Sequence, residues 1–331
     1  MSTLSAVKNN FYDPLLHDVE LPLEGAYYPL GFRVRVLSNS PDVQAAAQES
    51  WNWYAPEFDR PPLEVRIIVR AEGELAPEPT FLSQAHILTV VSDRDNFACV
   101  DFKSGFAYAF VSRKTAADHA WLRWFFLEPL VYCLLAQSYT MPMHAACIAW
   151  GGRGILLSGP SGAGKSTLAF ACARAGWTFV ADDATSLLQE SEDRVVIGKP
   201  HQVRVRDDAP RLFPELEGHC TRARPNGKLS IEIPMEAFPE IQTALHCRIE
   251  AIVFLDRRRG TPGLEAAPAE ETAEALLAEM PSYGHEVRSR HERAVRRLLE
   301  VPAYRLRYER LEHAVELLDG LKNVWAADER R

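Results

Sequence analysis

At 331 residues the chain is longer than one ordinary domain, so two domains are the natural expectation. Its 47% hydrophobic and 25% charged residues suit a soluble globular protein with a substantial core. The net charge of -8 argues against a nucleic-acid partner, because phosphate backbones repel an acidic surface.

The opening residues, M-S-T-L-S-A-V-K-N-N-F-Y-D, lack the basic and apolar regions of a signal peptide. Residues 32–37 alternate apolar with basic side chains, the period of a half-buried strand. A helix is predicted over 41–54, opened by an Asn-Ser-Pro-Asp start signal. Strands are predicted over 63–69, 86–91 and 106–111, with turns rich in Pro and Asp between them. Residues 1–112 thus form a small α/β module without a catalytic constellation. Residues 113–331 form the second domain, entered by a helix over 116–138. Arg123, Glu128 and Pro129 interrupt the apolar stretch 121–139 too soon for a membrane span of about 20 residues.

A short strand over 143–149, a Gly151-Gly152 turn and a buried strand over 154–158 lead to G-P-S-G-A-G-K-S-T. A helix over 167–175 and a strand over 177–181 follow, and that strand ends in Asp182-Asp183. Further strands are predicted at 194–197, 229–233 and 249–255, an exposed Pro-rich loop at 260–268, and helices at 270–280, 286–300 and 311–321. Arg257, Arg258 and Arg259, and the arginines from Arg288 to Arg297, read as solvated faces. All six cysteines stand outside any C-x-x-C pair, which supports no zinc site and fits a reducing cytoplasm.

The loop meets the pattern G-x-x-x-x-G-K-[ST]. Gly159, Gly162 and Gly164 allow the backbone of Ser161 and Ala163 to close around phosphate oxygens. The helix that begins here turns its unpaired N–H groups to the same oxygens. Lys165 supplies a point charge to the outer phosphates, Ser166 a hydroxyl for Mg²⁺, and Thr167 continues the loop into the helix. Such a string recurs by chance in on the order of one chain in a hundred of this length. Its flanking strand and helix therefore carry the expectation of ATP and Mg²⁺. Of the two aspartates, one can hold the metal and the other take a proton from an attacking hydroxyl; alternatively both cap a turn. His144 alone reads as a hydrogen-bonded histidine at a strand end.

The run H-A-A-C-I-A-W-G-G-R-G-I-L-L-S-G-P-S-G-A-G-K-S-T, continuing to W-T-F-V-A-D-D, resembles the catalytic core of the HPr kinase/phosphorylase family. The resemblance implies a P-loop kinase domain with a mixed sheet, of the fold shared with PEP carboxykinase. It implies Asp182 as general base, Asp183 beside the metal or the base, and His144 near the γ-phosphate. It also makes Arg248, which opens C-R-I-E-A-I-V-F-L, a phosphate contact; from its own strand it reads equally as a snorkelling arginine. The family forms hexamers, which implies a homo-oligomer. Thr167 stands where the bifunctional enzymes carry Glu, which speaks against phosphorylase activity. The family's glycine-rich signature has no counterpart in K-P-H-Q-V-R-V-R-D-D, and residues 1–112 do not resemble its N-terminal domain. The chain therefore looks like a divergent relative, as lasso-peptide precursor kinases are.

Three functions stay open at this level. A kinase acting on a Ser or Thr hydroxyl of a protein or peptide leads. A metabolite kinase is next, with Arg204, Arg206, Arg222, Arg224 and Lys228 holding an acidic substrate or lying as a solvated surface. The third is a nucleotide-sensing ATPase, in which Asp256 at the end of I-E-A-I-V-F-L-D meets the metal.

Overall fold

The computed structural model describes residues 20–190, 193–223, 229–257, 260–278 and 285–328. The opening thirteen residues, Arg224, Lys228, Arg258 and Arg259 lie outside these described residues. The chain divides into two compact units, Met1–Leu135 and Ala136–Arg331.

The first unit is built on a seven-stranded sheet in the order β1-β2-β3-β7-β6-β5-β4. Its strands are β1 (Leu23–Tyr27), β2 (Phe32–Ser38), β3 (Phe58–Arg70), β4 (Thr80–Gln84), β5 (Ile87–Val91), β6 (Phe97–Asp101) and β7 (Phe106–Ser112). The parallel pair β2 and β3 needs a crossover, supplied by the helix Pro41–Trp51. Ser40 caps that helix by accepting from Asp42 N, and Val43, Ala46, Ala47 and Trp51 are buried.

The expected helix over 116–138 is broken. Asp118 ends one short helix, Arg113–Ala117, and caps the next, His119–Leu122, by accepting from Trp121 N. A π-turn, Arg123–Leu127, then leads into the helix Glu128–Ser138. Pro129 has no N–H for a normal helical turn, and the wider turn falls just before it. Ser50 Oγ bonds Glu128 Oε1 at 2.9 Å, and Trp51 Nε1 bonds the Tyr132 hydroxyl at 3.4 Å. These bonds hold the helical stretch to the first unit, so the contacts divide the chain at 135/136, where sequence alone suggested 112/113.

The second unit is a mixed sheet with helices on both faces. Its order is β11-β9-β10-β17-β13-β12-β8, with β19 beside β17 and β18 beside β19. The strands are β8 (Thr140–Met143), β9 (Ala146–Trp150), β10 (Arg153–Ser158), β11 (Thr178–Ala181), β12 (Thr185–Leu188), β13 (Val195–Ile197), β17 (His246–Asp256), β18 (Gly263–Ala266) and β19 (Ala303–Arg307). A separate three-stranded sheet joins β14 (Gln202–Val205), β15 (Thr221–Ala223) and β16 (Leu229–Pro234). One face of the main sheet packs on Leu168 and Phe170 of the helix Lys165–Arg174, on Leu318 and Trp325 of the helix Leu311–Asp328, and on Val203 and Ile233 of the small sheet. The other face packs on Leu276, Val295 and Leu298 from the helices Ala269–Ala278 and His285–Leu298. Among the described residues no helix is long and apolar enough to cross a membrane.

Two expectations change here. The loop expected over 260–268 contains β18, an edge strand bracketed by Pro262 and Pro268, where proline disturbs no ladder bond. The single strand expected over 143–149 is two strands, parted at His144-Ala145.

Gly198 follows β13 where two backbones nearly touch: an added methyl would lie 2.0 Å from the Val180 carbonyl oxygen on β11. Backbone cannot yield as a side chain tip can. Gly198→Ala should cost about 3 kcal/mol or more. Gly320→Ala, in a helix with no atom within 4 Å of the added methyl, should stabilise by up to about 1 kcal/mol. Urea unfolding of the two variants beside the parent checks both signs.

Candidate active site

Strand β11 pairs antiparallel with β9, Ala181 opposite Cys147, and β12 pairs antiparallel with β8, Thr185 opposite Met143. Past the bulge between Phe179 and Ala181, both pairs keep one register. They are therefore two stretches of a single ladder, which is interrupted where His144-Ala145 faces Asp182-Asp183-Ala184. At that break the side chains meet: His144 Nε2 lies 2.9 Å from Asp183 Oδ1, and both are about half exposed.

The break sits at the same end of the sheet as the glycine loop. Ala146 pairs with Leu157, one residue before β10 ends at Ser158. Across the intervening β9, Asp182 is two strand spacings, roughly 10 Å, from the start of the loop. In the loop, Ala163 N bonds the Pro160 carbonyl at 3.0 Å, closing a turn, and Gly162 and Gly164 take φ of 89° and 96°. No side chain caps the helix that starts at Lys165, which leaves its first N–H groups to an anion. Lys165 is buried, and its Nζ donates to the Gly159 and Pro160 carbonyls at 2.7 and 3.4 Å. Tyr308, buried after β19, brings its hydroxyl 3.4 Å from the Ala163 carbonyl. Burial pushes its pKa up to about 12, so it remains a donor.

Asp182 is buried, and its Oδ2 accepts the Arg204 backbone N–H of β14 at 2.6 Å. Burial pushes its pKa up to about 6; Asp183 raises it further, while the Arg204 amide and charge pull it down. Two residues on, Arg206 lies over the loop, where a methyl on Gly162 would meet its Nη2 at 3.0 Å.

The fold thus brings His144, Asp182, Asp183 and the loop to one end of the sheet. It does not bring Arg248 there. Arg248 pairs in register with Arg153 at the start of β10, the far end of that strand from the loop. Its Nε bonds Glu250 at 3.0 Å and its side chain is half exposed. Asp256 ends β17 two residues past Phe254, which pairs with Ser158, so it too stands at the loop end. The sequence carries no signal for Tyr308, and from it Arg206 reads only as a surface or substrate arginine. The alternation in V-R-V-R was the available signal for β14.

The arrangement fits a phosphate chain: a left-handed glycine turn, an uncapped helix start and two cations, Lys165 and Arg206. Ser166 and Asp183 offer the hydroxyl and carboxylate that suit Mg²⁺ sharing its shell with phosphate oxygens. Among the described residues no three His, Cys, Asp or Glu side chains group as a metal cage.

Fold and site together define an α/β unit with a glycine loop and an acidic pair at one end of a mixed sheet. The family model described as SynChlorMet cassette protein ScmC matches residues 111–197. The HPr kinase/phosphorylase of Geobacillus kaustophilus (strain HTA426) is 30% identical over 195 residues, 56% of this chain and 55% of that protein. That of Geobacillus thermodenitrificans (strain NG80-2) is 29% identical over 177 residues, 52% and 50% of the two chains. The chain thus spans about half the length of the curated relatives it matches. The solved Hpr(Ser) kinase/phosphatase from Coxiella burnetii aligns at 13% identity and a TM-score of 0.31, over 57% of this chain and 98% of that one. The chain is an HPr-kinase-like relative.

The fold holds Asp182 protonated more readily than an unfolded chain does. Its contribution to stability is therefore complete below the ordinary carboxylate pKa and lost as pH rises through about 6. Between about pH 4 and pH 7 the parent should lose up to about 3 kcal/mol relative to Asp182→Asn. Urea midpoints across that range measure it, and parallel curves would refute the shift.

Proposed function

We propose that the second unit is an ATP- and Mg²⁺-dependent kinase that transfers the γ-phosphoryl group to a Ser or Thr hydroxyl of a protein or peptide. One observation carries this reading: a buried carboxylate, Asp182, held on the Arg204 amide at the same end of the sheet as a lysine-bearing glycine loop. The printed name of the curated relatives, HPr kinase/phosphorylase, supports the kinase class. Free thiols, three of them buried, suit a reducing cytoplasm.

In this mechanism the loop N–H groups and Lys165 bind and orient the phosphates. Ser166 and Asp183 would hold Mg²⁺, which when bound neutralises phosphate charge. Asp182 keeps Oδ2 on the Arg204 amide and presents Oδ1 to the acceptor hydroxyl. The acceptor oxygen bonds the γ-phosphorus as the bond to the β–γ bridging oxygen breaks. That electron pair leaves with ADP, and the hydroxyl proton passes to Asp182. The bond from His144 to Asp183 orients the second carboxylate.

Asp182→Asn should leave Mg²⁺-ATP affinity within about threefold of the parent and lower transfer by about 10²- to 10⁴-fold. Because the base acts ionised, the parent's transfer rate should rise with pH through about 6. Labelled ATP with cell extract, separated by size, identifies the acceptor; label confined to small molecules makes the chain a metabolite kinase. Asp256 also stands at the loop end, which favours a comparison with Asp256→Ala. Loss of Mg²⁺-ATP binding there, with Asp183→Ala unaffected, would make the chain an ATPase instead.

A further inference from the structure

Two arginines on one strand have opposite fates. Arg204 is paired: its Nε bonds Glu232 Oε1 across to β16 at 3.0 Å. Arg206, one strand period later, has no carboxylate partner among the described residues, although Asp207 and Asp208 follow it directly. Its guanidinium instead covers Gly162, with Nη2, Cζ and Nη1 at 3.0, 3.8 and 4.0 Å from the methyl position that glycine leaves empty. An exposed guanidinium without an acid, laid over a glycine loop with an uncapped helix start, is arranged to meet an anion.

The geometry points to Arg206 as a second phosphate-contacting cation, delivered by β14 and directed at the outermost phosphoryl group. This rests on the kinase reading above. Lys165 Nζ occupies the Gly159 and Pro160 end of the loop, and the helix N-terminus faces the inner phosphates. Arg206 sits on the other limb, at Gly162, outside that cradle. The strand presenting it is fixed by the Arg204 amide on Asp182 Oδ2, two residues away. The guanidinium thus stands at the loop on the same chain segment that clasps the candidate base. There it neutralises charge on the equatorial oxygens, the work an arginine supplied in cis does in phosphoryl transfer. Asp182 thereby gains a positioning role beside its chemical one.

Equilibrium binding of Mg²⁺-ATP, Mg²⁺-ADP and AMP to the full chain tests this, with Arg206→Ala and Arg206→Lys compared to the parent by displacement of a fluorescent nucleotide. The expected result for Arg206→Ala is about tenfold weaker ATP binding with ADP changed less than about threefold, and partial recovery of ATP affinity in Arg206→Lys. Thermal unfolding should be unchanged, because the side chain is exposed. ATP affinity within about twofold of the parent overturns the assignment. So does an equal loss for ATP and ADP, which would place the guanidinium on inner phosphates. A parent chain that binds no ATP overturns the kinase reading itself, and this inference with it.

Discussion

Two antiparallel strands leave one ladder at the same height, and the chemistry of the second unit depends on that interruption. A continuous ladder would have set the side chains of Asp182 and Asp183 on opposite faces of the sheet, each fixed by the pleat. The break turns Asp183 toward His144 and Asp182 toward the neighbouring small sheet. A buried carboxylate is costly unless hydrogen-bonded. The Arg204 amide answers that need and fastens β14 to the main sheet. One contact is thus both a structural clasp and the cause of a restrained pKa: without the amide, burial would raise Asp182 further.

Strand order then sets the distances. β10 carries the loop, β9 separates it from Asp182, and β17 with Asp256 lies on its other side. The acidic pair is two strand spacings from the loop, a gap in which the outer part of a phosphate chain fits. Asp256 is one spacing away, roughly 5 Å, which suits contact with the loop more than contact with an acceptor beyond it. Tyr308, arriving from β19, holds the underside of the loop at Ala163, so the loop is supported from the sheet as well as from its own helix.

Much of this was legible in the sequence, for reasons that differ by element. The loop could be read because few residue types tolerate its backbone, and the structure gives Gly162 and Gly164 the positive φ that demands glycine. Asp182 and Asp183 could be read as a strand end. That Asp183 faces His144 follows from a register joining β8–β9 to β11–β12, which no local pattern encodes; the family resemblance implies only that His144 lies near the γ-phosphate. Arg248 shows the complementary failure. Its strand was recognised, but β17 runs parallel to β10, so the residue that opens it stands at the end away from the loop. The β14 strand is invisible to a comparison of K-P-H-Q-V-R-V-R-D-D with a glycine-rich signature it lacks. Its own alternation of valine with arginine was the better guide.

That alternation explains why two arginines were placed where one anion site needs a single extra cation. On a strand, residues two apart share a face, so Arg204 and Arg206 would both point the same way if β14 simply continued. The strand ends at Val205. Arg204, still inside the sheet, lies opposite Glu232 and is neutralised by it. Arg206, one residue beyond the last pairing, escapes that acid and reaches the loop. Extending β14 by two residues would give Arg206 a neighbour on β16 and withdraw it. Shortening it would free Arg204 and loosen the amide that Asp182 accepts. The length of one four-residue strand therefore decides both how many positive charges face the loop and how firmly the buried acid is held.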